Sequence, residues 1–248
     1  MLRRAARRVR AGLLLFVLAC ALGSGCSGGG IFKREYEYEE ELYLSLDGSA
    51  VLNVNASVAS LVALRGAHLN PDPRARIDRD ELRSYFGAPD ARVSVSLARR
   101  DGRRFVHASV AVDDVRDLSR LAPFSWSNYR LDRRGEVIEF EQKVGVPPHE
   151  PHGRLQWHGG EIVAFRMHLP SEIVFHNAPS RQVERGNILE WEQPLSARLE
   201  GAPLDIRVQL EPTSILAQTM LLFGATAVAA LATLGAVVWW ISRRGEES

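Results

Sequence analysis

The chain predicts an α+β fold: an antiparallel sheet with two or three short helices, preceded by a signal peptide and followed by one transmembrane helix. Three observations carry that expectation. Apolar and polar residues alternate on both sides of an Asp-Gly pair twice, around Asp47-Gly48 and around Asp101-Gly102. Short segments beside these hairpins carry helical apolar spacing and caps. Near the C-terminus, Leu221–Ile241 (LLFGATAVAALATLGAVVWWI) contains no charged residue.

The last stretch fixes where the rest belongs. At about 1.5 Å per residue such a helix reaches roughly 30 Å, the thickness of a bilayer's hydrocarbon core. Trp239 and Trp240 stand at its far end and Arg243 and Arg244 follow, as at a membrane interface. The span is expected over 215–241 and a short tail over 242–248. At the other end, Arg3, Arg4, Arg7, Arg8 and Arg10 precede the apolar Leu13–Ala21 and the small residues LGSGCSGGG, the order of a secretory signal. Two cleavage readings stand. Ala19-Cys20-Ala21 fits an ordinary signal peptidase. Gly23-Ser24-Gly25-Cys26 resembles a lipoprotein signal and makes Cys26 the lipidation candidate, with 1–25 removed and 26–33 a flexible tether. Arginines outside both apolar runs place both ends in the cytoplasm of a bacterial cell and the domain over 34–212 outside it.

The chain of 248 residues has a net charge of +1. Setting aside the seven terminal arginines with Glu246 and Glu247 leaves 24 basic and 28 acidic residues, a mildly acidic domain. That argues against a nucleic-acid partner, which needs a basic footprint. Both cysteines lie before residue 30, so the domain holds neither disulfide nor thiolate chemistry.

Within the domain, Tyr36, Tyr38, Leu42, Leu44 and Leu46 share one parity and Glu37, Glu39 and Glu41 the other, as in a half-buried strand. Asp47-Gly48 turns it, and Leu52, Val54, Ala56 and Val58 alternate back. Val58, Leu61, Val62 and Leu64 then take helical spacing, with Gly66 as the stop. Asp78 and Glu81 have capping-box spacing ahead of Leu82, Tyr85 and Phe86, and Gly87 ends that helix. Val93, Val95 and Leu97 pair through Asp101-Gly102 with Val106, Ala108, Val110 and Val112. A short helix follows over Asp113–Leu121. Hairpin and helix thus occur twice. The remainder reads as strand: Tyr129–Leu131 and Val137–Val144 around Arg133-Arg134-Gly135, then Leu155–Trp157 and Ile162–Leu169 around Gly159-Gly160. Glu172–His176, Ile188–Trp191 and Leu204–Leu210 complete the sheet, and Pro212 breaks the last strand before the membrane.

Candidates for chemistry are few. His149, His152 and His158, with Glu150, have metal-like composition. HEPH is not H-E-x-x-H, however, and Pro151 opposes a helical presentation, so an ordinary polar loop is the expectation and no metal or cofactor is assigned. No G-x-S-x-G, P-loop, G-x-G-x-x-G or C-x-x-C is present, and the domain is expected to be non-enzymatic. Arg99, Arg100, Arg103 and Arg104 surround the second turn, as phosphate or partner contacts or as a solvated turn guarding strand ends.

LPSEIVFHN, then RGNILEWEQPL, then a strand and a terminal membrane helix, resembles the end of the LppM-like family of bacterial envelope lipoproteins. YEYEEELYLSLDGSAVLNVNASV is similar to that family's first hairpin. The resemblance implies an antiparallel α+β domain that holds envelope lipids or glycolipids against a curved sheet. It brings no catalytic residue. Asn177, Gly186, Asn187 and Trp191 match the family's turn pattern as structural residues. A non-catalytic domain binding a lipid or other amphiphile is therefore the first expectation, with Leu42, Leu44, Val54, Leu61, Val62, Tyr85 and Phe86 as candidate lining, or else as closed core. A scaffold for an envelope protein partner is the second, and a hydrolase without a local signature the third.

Overall fold

The computed structural model describes residues 36–89, 91–145, 155 and 157–245. Cys26, His149 and His152, and with them the signal peptide and tether, lie outside the described residues.

Strands β1 (Tyr36–Leu44) and β2 (Ala50–Ser57) form the first hairpin, paired from Tyr38↔Ala56 to Leu44↔Ala50. Gly48 takes the positive φ of 93° that the turn needs. The chain passes directly into α1 (Val58–Arg65). Ser57 Oγ accepts the Ser60 N–H at its start, and Gly66, at φ 63°, ends it with its N–H on the Leu61 carbonyl. Helix α2 (Arg79–Phe86) follows, capped by Asp78, whose carboxylate accepts the Asp80 N–H. Strands β3 (Arg92–Arg100) and β4 (Arg103–Val112) form the second hairpin, and a 3-10 turn over Val115–Arg120 is capped by Asp114. The two hairpins lie side by side, because β2 pairs with β4 from Ser57↔Phe105 to Ala50↔Val112.

Past residue 125 the expected single sheet becomes two. Strands β5 (Asn128–Arg134), β6 (Val137–Val144), β10 (Leu204–Ser214) and β8 (Ser171–His176) form a four-stranded antiparallel sheet in that order. Strands β7 (Ile162–His168) and β9 (Ile188–Pro194) instead extend the first sheet to six strands, ordered β3-β4-β2-β1-β7-β9. Strand β7 lies parallel to β1, so this sheet is mixed rather than antiparallel. Leu155 and Trp157 belong to no strand, and Gly159-Gly160 closes no hairpin. A further short helix, α3 (Leu195–Leu199), follows β9.

One core of buried side chains unites both sheets and the helices. It includes Tyr38, Leu52, Leu61, Phe86, Phe124, Phe140, Phe165, Trp191 and Val208. Asn177 ties three strands together: its Oδ1 accepts the Trp191 indole N–H (3.2 Å) and the Arg207 backbone N–H (2.9 Å), and its Nδ2 donates to the Asp205 carbonyl (2.7 Å). Asn187, at φ 61°, donates its side-chain amide to the Leu169 carbonyl at 3.0 Å, a backbone state that Asn tolerates better than most residues.

Pro212 lies inside β10 instead of ending it, at an irregularity in the pairing between Leu210 and Ser214. An edge-like break in the ladder needs no proline N–H, so the strand continues. Helix α4 (Ile215–Gly245) begins at once, and its first N–H, from Ile215, bonds the Pro170 carbonyl at 3.0 Å. Within it, Thr219–Val237 has a mean hydropathy of 2.0 and none of it is buried. A core helix of that composition would be covered; this one is long and apolar enough to cross a membrane and stands wholly exposed.

Candidate functional site

The period of two along β1 sends alternate side chains to opposite faces of the six-stranded sheet. Tyr38, Glu40, Leu42 and Leu44 face the core. Leu42, Leu44, Val54, Leu61, Val62 and Phe86 are all buried within 6 % exposure, and Tyr85 packs against them with its hydroxyl donating to the Arg65 carbonyl (2.7 Å). Six of the seven candidate lining residues are therefore buried and Tyr85 packs against the core, and Val54 also borders the groove described below.

Inside that core lies a charge pair. The Arg65 guanidinium bonds the Glu40 carboxylate, and both residues are almost fully buried. Tyr38 donates its hydroxyl to Glu40 and accepts from Arg65 Nε. Gln142, across in the four-stranded sheet, donates to Glu40 Oε2 at 3.4 Å. The Arg65 guanidinium lies 4.0 Å from the Trp126 ring centroid and 4.7 Å from that of Tyr38. Burial pushes the Tyr38 and Tyr129 phenols up, Tyr129 to about 12, so both remain hydroxyl donors at any ordinary pH. The arrangement joins α1, β1 and β6 and is closed to a ligand.

The opposite face is polar and open. A groove of about 460 Å³ crosses it, lined by Glu39 and Glu41 of β1, Asn53 and Asn55 of β2, His107 and Ser109 of β4, and Ser94 and Ser96 of β3. The register explains the grouping: Glu39, Asn55, His107 and Ser96 are successive cross-strand partners, as are Glu41, Asn53, Ser109 and Ser94. Two parallel rows of acceptors and hydroxyls result. Asn55 donates to Glu39 at 3.5 Å, and its buried Oδ1 has no protein partner. Toward β7, Arg166 bonds Glu39 and donates Nε to Glu190 (2.7 Å). The Tyr36 hydroxyl donates to Glu190 (3.1 Å) and to Glu192. Burial raises the Glu39 carboxyl above its ordinary range, with Arg166 pulling the other way. Burial lowers His107, aided by the Arg100 charge, so its imidazole is neutral near pH 7. One pleat beyond Glu41, the half-exposed Tyr43 ring stacks on His168, centroids 4.0 Å apart and planes 9° apart.

Of the basic-turn candidates, three are used by the fold. Arg100 donates to the Tyr36 carbonyl (2.7 Å) and lies 3.9 Å over the Phe105 ring. Arg103 pairs with Glu37 (2.6 Å) and Glu161 (3.4 Å). Arg104 donates to the carbonyls of Ala75 and Asn70. Arg99, more exposed, reaches the Pro73 carbonyl at 3.3 Å. The turn also lies at the opposite sheet end from α4. Strand β7 runs toward Pro170, where α4 begins, and the pairing of β1, β2 and β4 puts Gly102 at β7's starting end. Seven residues of strand, about 20 Å, separate the two ends. His158 borders a second cavity beside this turn, and no group of three or more metal-ligating residues converges among the described residues.

Sequence reading missed Glu40, which shares the parity of Tyr38 and Leu42 and so had to face the core. The parity that separates Glu37, Glu39 and Glu41 from the apolar face does not place Asn53, Asn55, Ser94, Ser96 and His107 beside them. That juxtaposition needs the β1-β2-β4-β3 order.

No family model matches the chain, and no curated protein matches it. Among solved structures, the chain is similar to the NMR structure of the folded domain of LppM from Mycobacterium tuberculosis. The two are 14 % identical with a TM-score of 0.40, over 76 % of this chain and 98 % of that one. At that score the likeness says nothing about ligand or mechanism.

Proposed function

We propose that this is a membrane-tethered, non-catalytic binding domain whose open sheet face holds the hydroxyl-rich head group of an amphiphile. The observation that carries the reading is the groove itself: two carboxylates, two carboxamides, three serines and a neutral imidazole brought together by strand register on one face. Such a set accepts and donates hydrogen bonds without a net positive charge, which suits neutral polyols better than phosphates. An exposed aromatic ring, Tyr43, adjoins it and offers a stacking surface. The acyl portion of the ligand stays in the bilayer, because the apolar interior is filled by its own side chains. Glu39 is already held by Arg166 and Asn55, which favours a binding role over proton transfer.

Native mass spectrometry of the full chain released from bacterial envelope in a non-sugar detergent tests this. An added mass that extracts into organic solvent and disappears in Asn53→Leu is expected. A clean apo mass, with no uptake from total envelope lipid, sinks the reading.

A protein partner is favoured by one separate observation. Residue Val174 is an extra residue in edge strand β8, between the pairs Leu210↔Ile173 and Gln209↔Phe175, and Val174 and Phe175 are both about half exposed. Crosslinking through position 174 in the membrane would capture that partner; its failure removes this second reading.

A further inference from the structure

We propose that a second cavity, between the start of α1 and the 101–104 turn, binds the phosphate or carboxylate group of a small anion. The cavity is about 520 Å³ and is lined by Ser57, Val58 and Ala59, by Asn70–Pro73, by Asp101–Arg104, and by Leu155 and His158. It lies at the far end of the sheet from α4 and shares no residue with the groove described above.

Arg104 is the first reason. It is 7 % exposed, and among the described residues no carboxylate pairs with it. Its two terminal nitrogens donate to the carbonyls of Ala75 and Asn70, and Nε has no partner. A buried guanidinium satisfied only by neutral carbonyls keeps its full charge in a poorly solvated place, an arrangement that costs free energy unless an anion relieves it. Burial, and then the neighbouring Arg99, push its pKa below the usual arginine range, while Asp72 opposes them.

The second reason is the backbone. Helix α1 has eight residues and points its N-terminus at the same cavity. Ser57 Oγ takes the Ser60 N–H, and no acidic residue occupies the first turn, so the helix itself supplies no carboxylate to its positive end. Arg103, balanced by Glu37 and Glu161, and His158 also line the cavity.

The acidic members define the rest of the ligand. Asp72 and Asp101 also line the cavity, and the Asp72 carboxylate already accepts the Arg74 N–H at 2.8 Å. They repel a multiply charged anion on their side and accept hydroxyl groups. The chemistry that fits is therefore one anionic group on a hydroxylated small molecule, such as a phosphorylated or carboxylated sugar.

The test is a melting titration of the full chain in amine-oxide micelles. Sodium chloride is exchanged at constant ionic strength for inorganic phosphate in one arm and for glucuronate in another. A saturable rise in Tm with at least one anion is expected. Because Arg104 also holds the 70–75 loop, the decisive variant is Ala59→Asp. It places a carboxylate at the α1 N-terminus, where it favours the helix while occupying the site. This variant should melt higher than the wild type without added anion and bind the anion at least about 10-fold more weakly. A third arm uses bicelles with and without phosphatidic acid. A response there but not to free anion assigns the group to a lipid head group; a response to free anion assigns it to a soluble ligand. No saturable response in any arm, or an equal response in wild type and Ala59→Asp, overturns the proposal.

Discussion

Glu39 and Glu40 are neighbours in β1, and each is paired with one arginine, yet they belong to different parts of the molecule. Glu40 faces inward to Arg65, under Tyr38 and Trp126, with Gln142 reaching it from the other sheet. Glu39 faces outward to Arg166, beside a groove of amides and hydroxyls. The difference teaches how one strand serves a packed core on one face and an open polar groove on the other. One parity is committed to packing, and its carboxylate is bonded by Arg65, Tyr38 and Gln142. The other turns to the groove, where Ser94 and Ser96 are exposed to water and the buried Asn55 Oδ1 has no protein partner.

The sharpest way to break the comparison is to remove one inner partner. Arg65→Met leaves the Glu40 carboxylate buried and uncompensated, and a loss of about 3–5 kcal/mol is expected from urea unfolding of the full chain in micelles. Joining it with Glu40→Leu should recover most of that loss, since an apolar pair of similar volume replaces two desolvated charges. If the double variant is as unstable as the single, the pair is not an isolated buried unit. The wall of this cluster gives the next effect. A Cβ on Gly145 would stand 2.3 Å from the Trp126 carbonyl oxygen, so Gly145→Ala must displace the segment that lays Trp126 over Arg65. A loss of about 1–3 kcal/mol is expected.

Much of the fold was legible because it is local. The Asp-Gly turns at 47–48 and 101–102, the Ser57 cap and the Gly66 stop all act within a few residues. What was not legible depends on distant pairing. Strand β7 joins β1 in parallel across more than 100 residues, and nothing in Ile162–His168 states which strand will accept it. The division into two sheets has the same origin: β8 and β9 are close in sequence but join different sheets. The groove was hidden for that reason too. Its serines, asparagines and histidine look like ordinary polar strand residues until β3, β4, β2 and β1 are ordered. Glu40 was the exception, a misfit in the apolar parity that could have been noticed.

The outer pair offers a pH test of opposite character. Burial, then Glu41 and Glu190, raise the Glu39 carboxyl against the Arg166 charge. The folded chain therefore takes up this proton more readily than the unfolded chain, and stability falls as pH rises from about 4.5 through the raised folded value. Glu39→Gln should flatten that part of the stability profile and leave the inner cluster's contribution intact. An unchanged slope above about pH 4.5 in this variant would place the titration on another group.

The smallest stability effects fall where binding should suffer most. Ser94 and Ser96 are exposed on β3, touch the groove and make no hydrogen bond that the fold depends on. Ser94→Ala with Ser96→Ala should change unfolding free energy by no more than about 0.5 kcal/mol. On the proposed function, the same double variant should lose the added mass that the wild type carries, because it removes two of the three hydroxyls that answer the Glu39 and Glu41 rows. Full retention of the ligand in a normally folded double variant would separate binding from this half of the face. Loss of ligand without loss of stability would mean that the open parity of these strands is kept for recognition, as the closed parity is kept for packing.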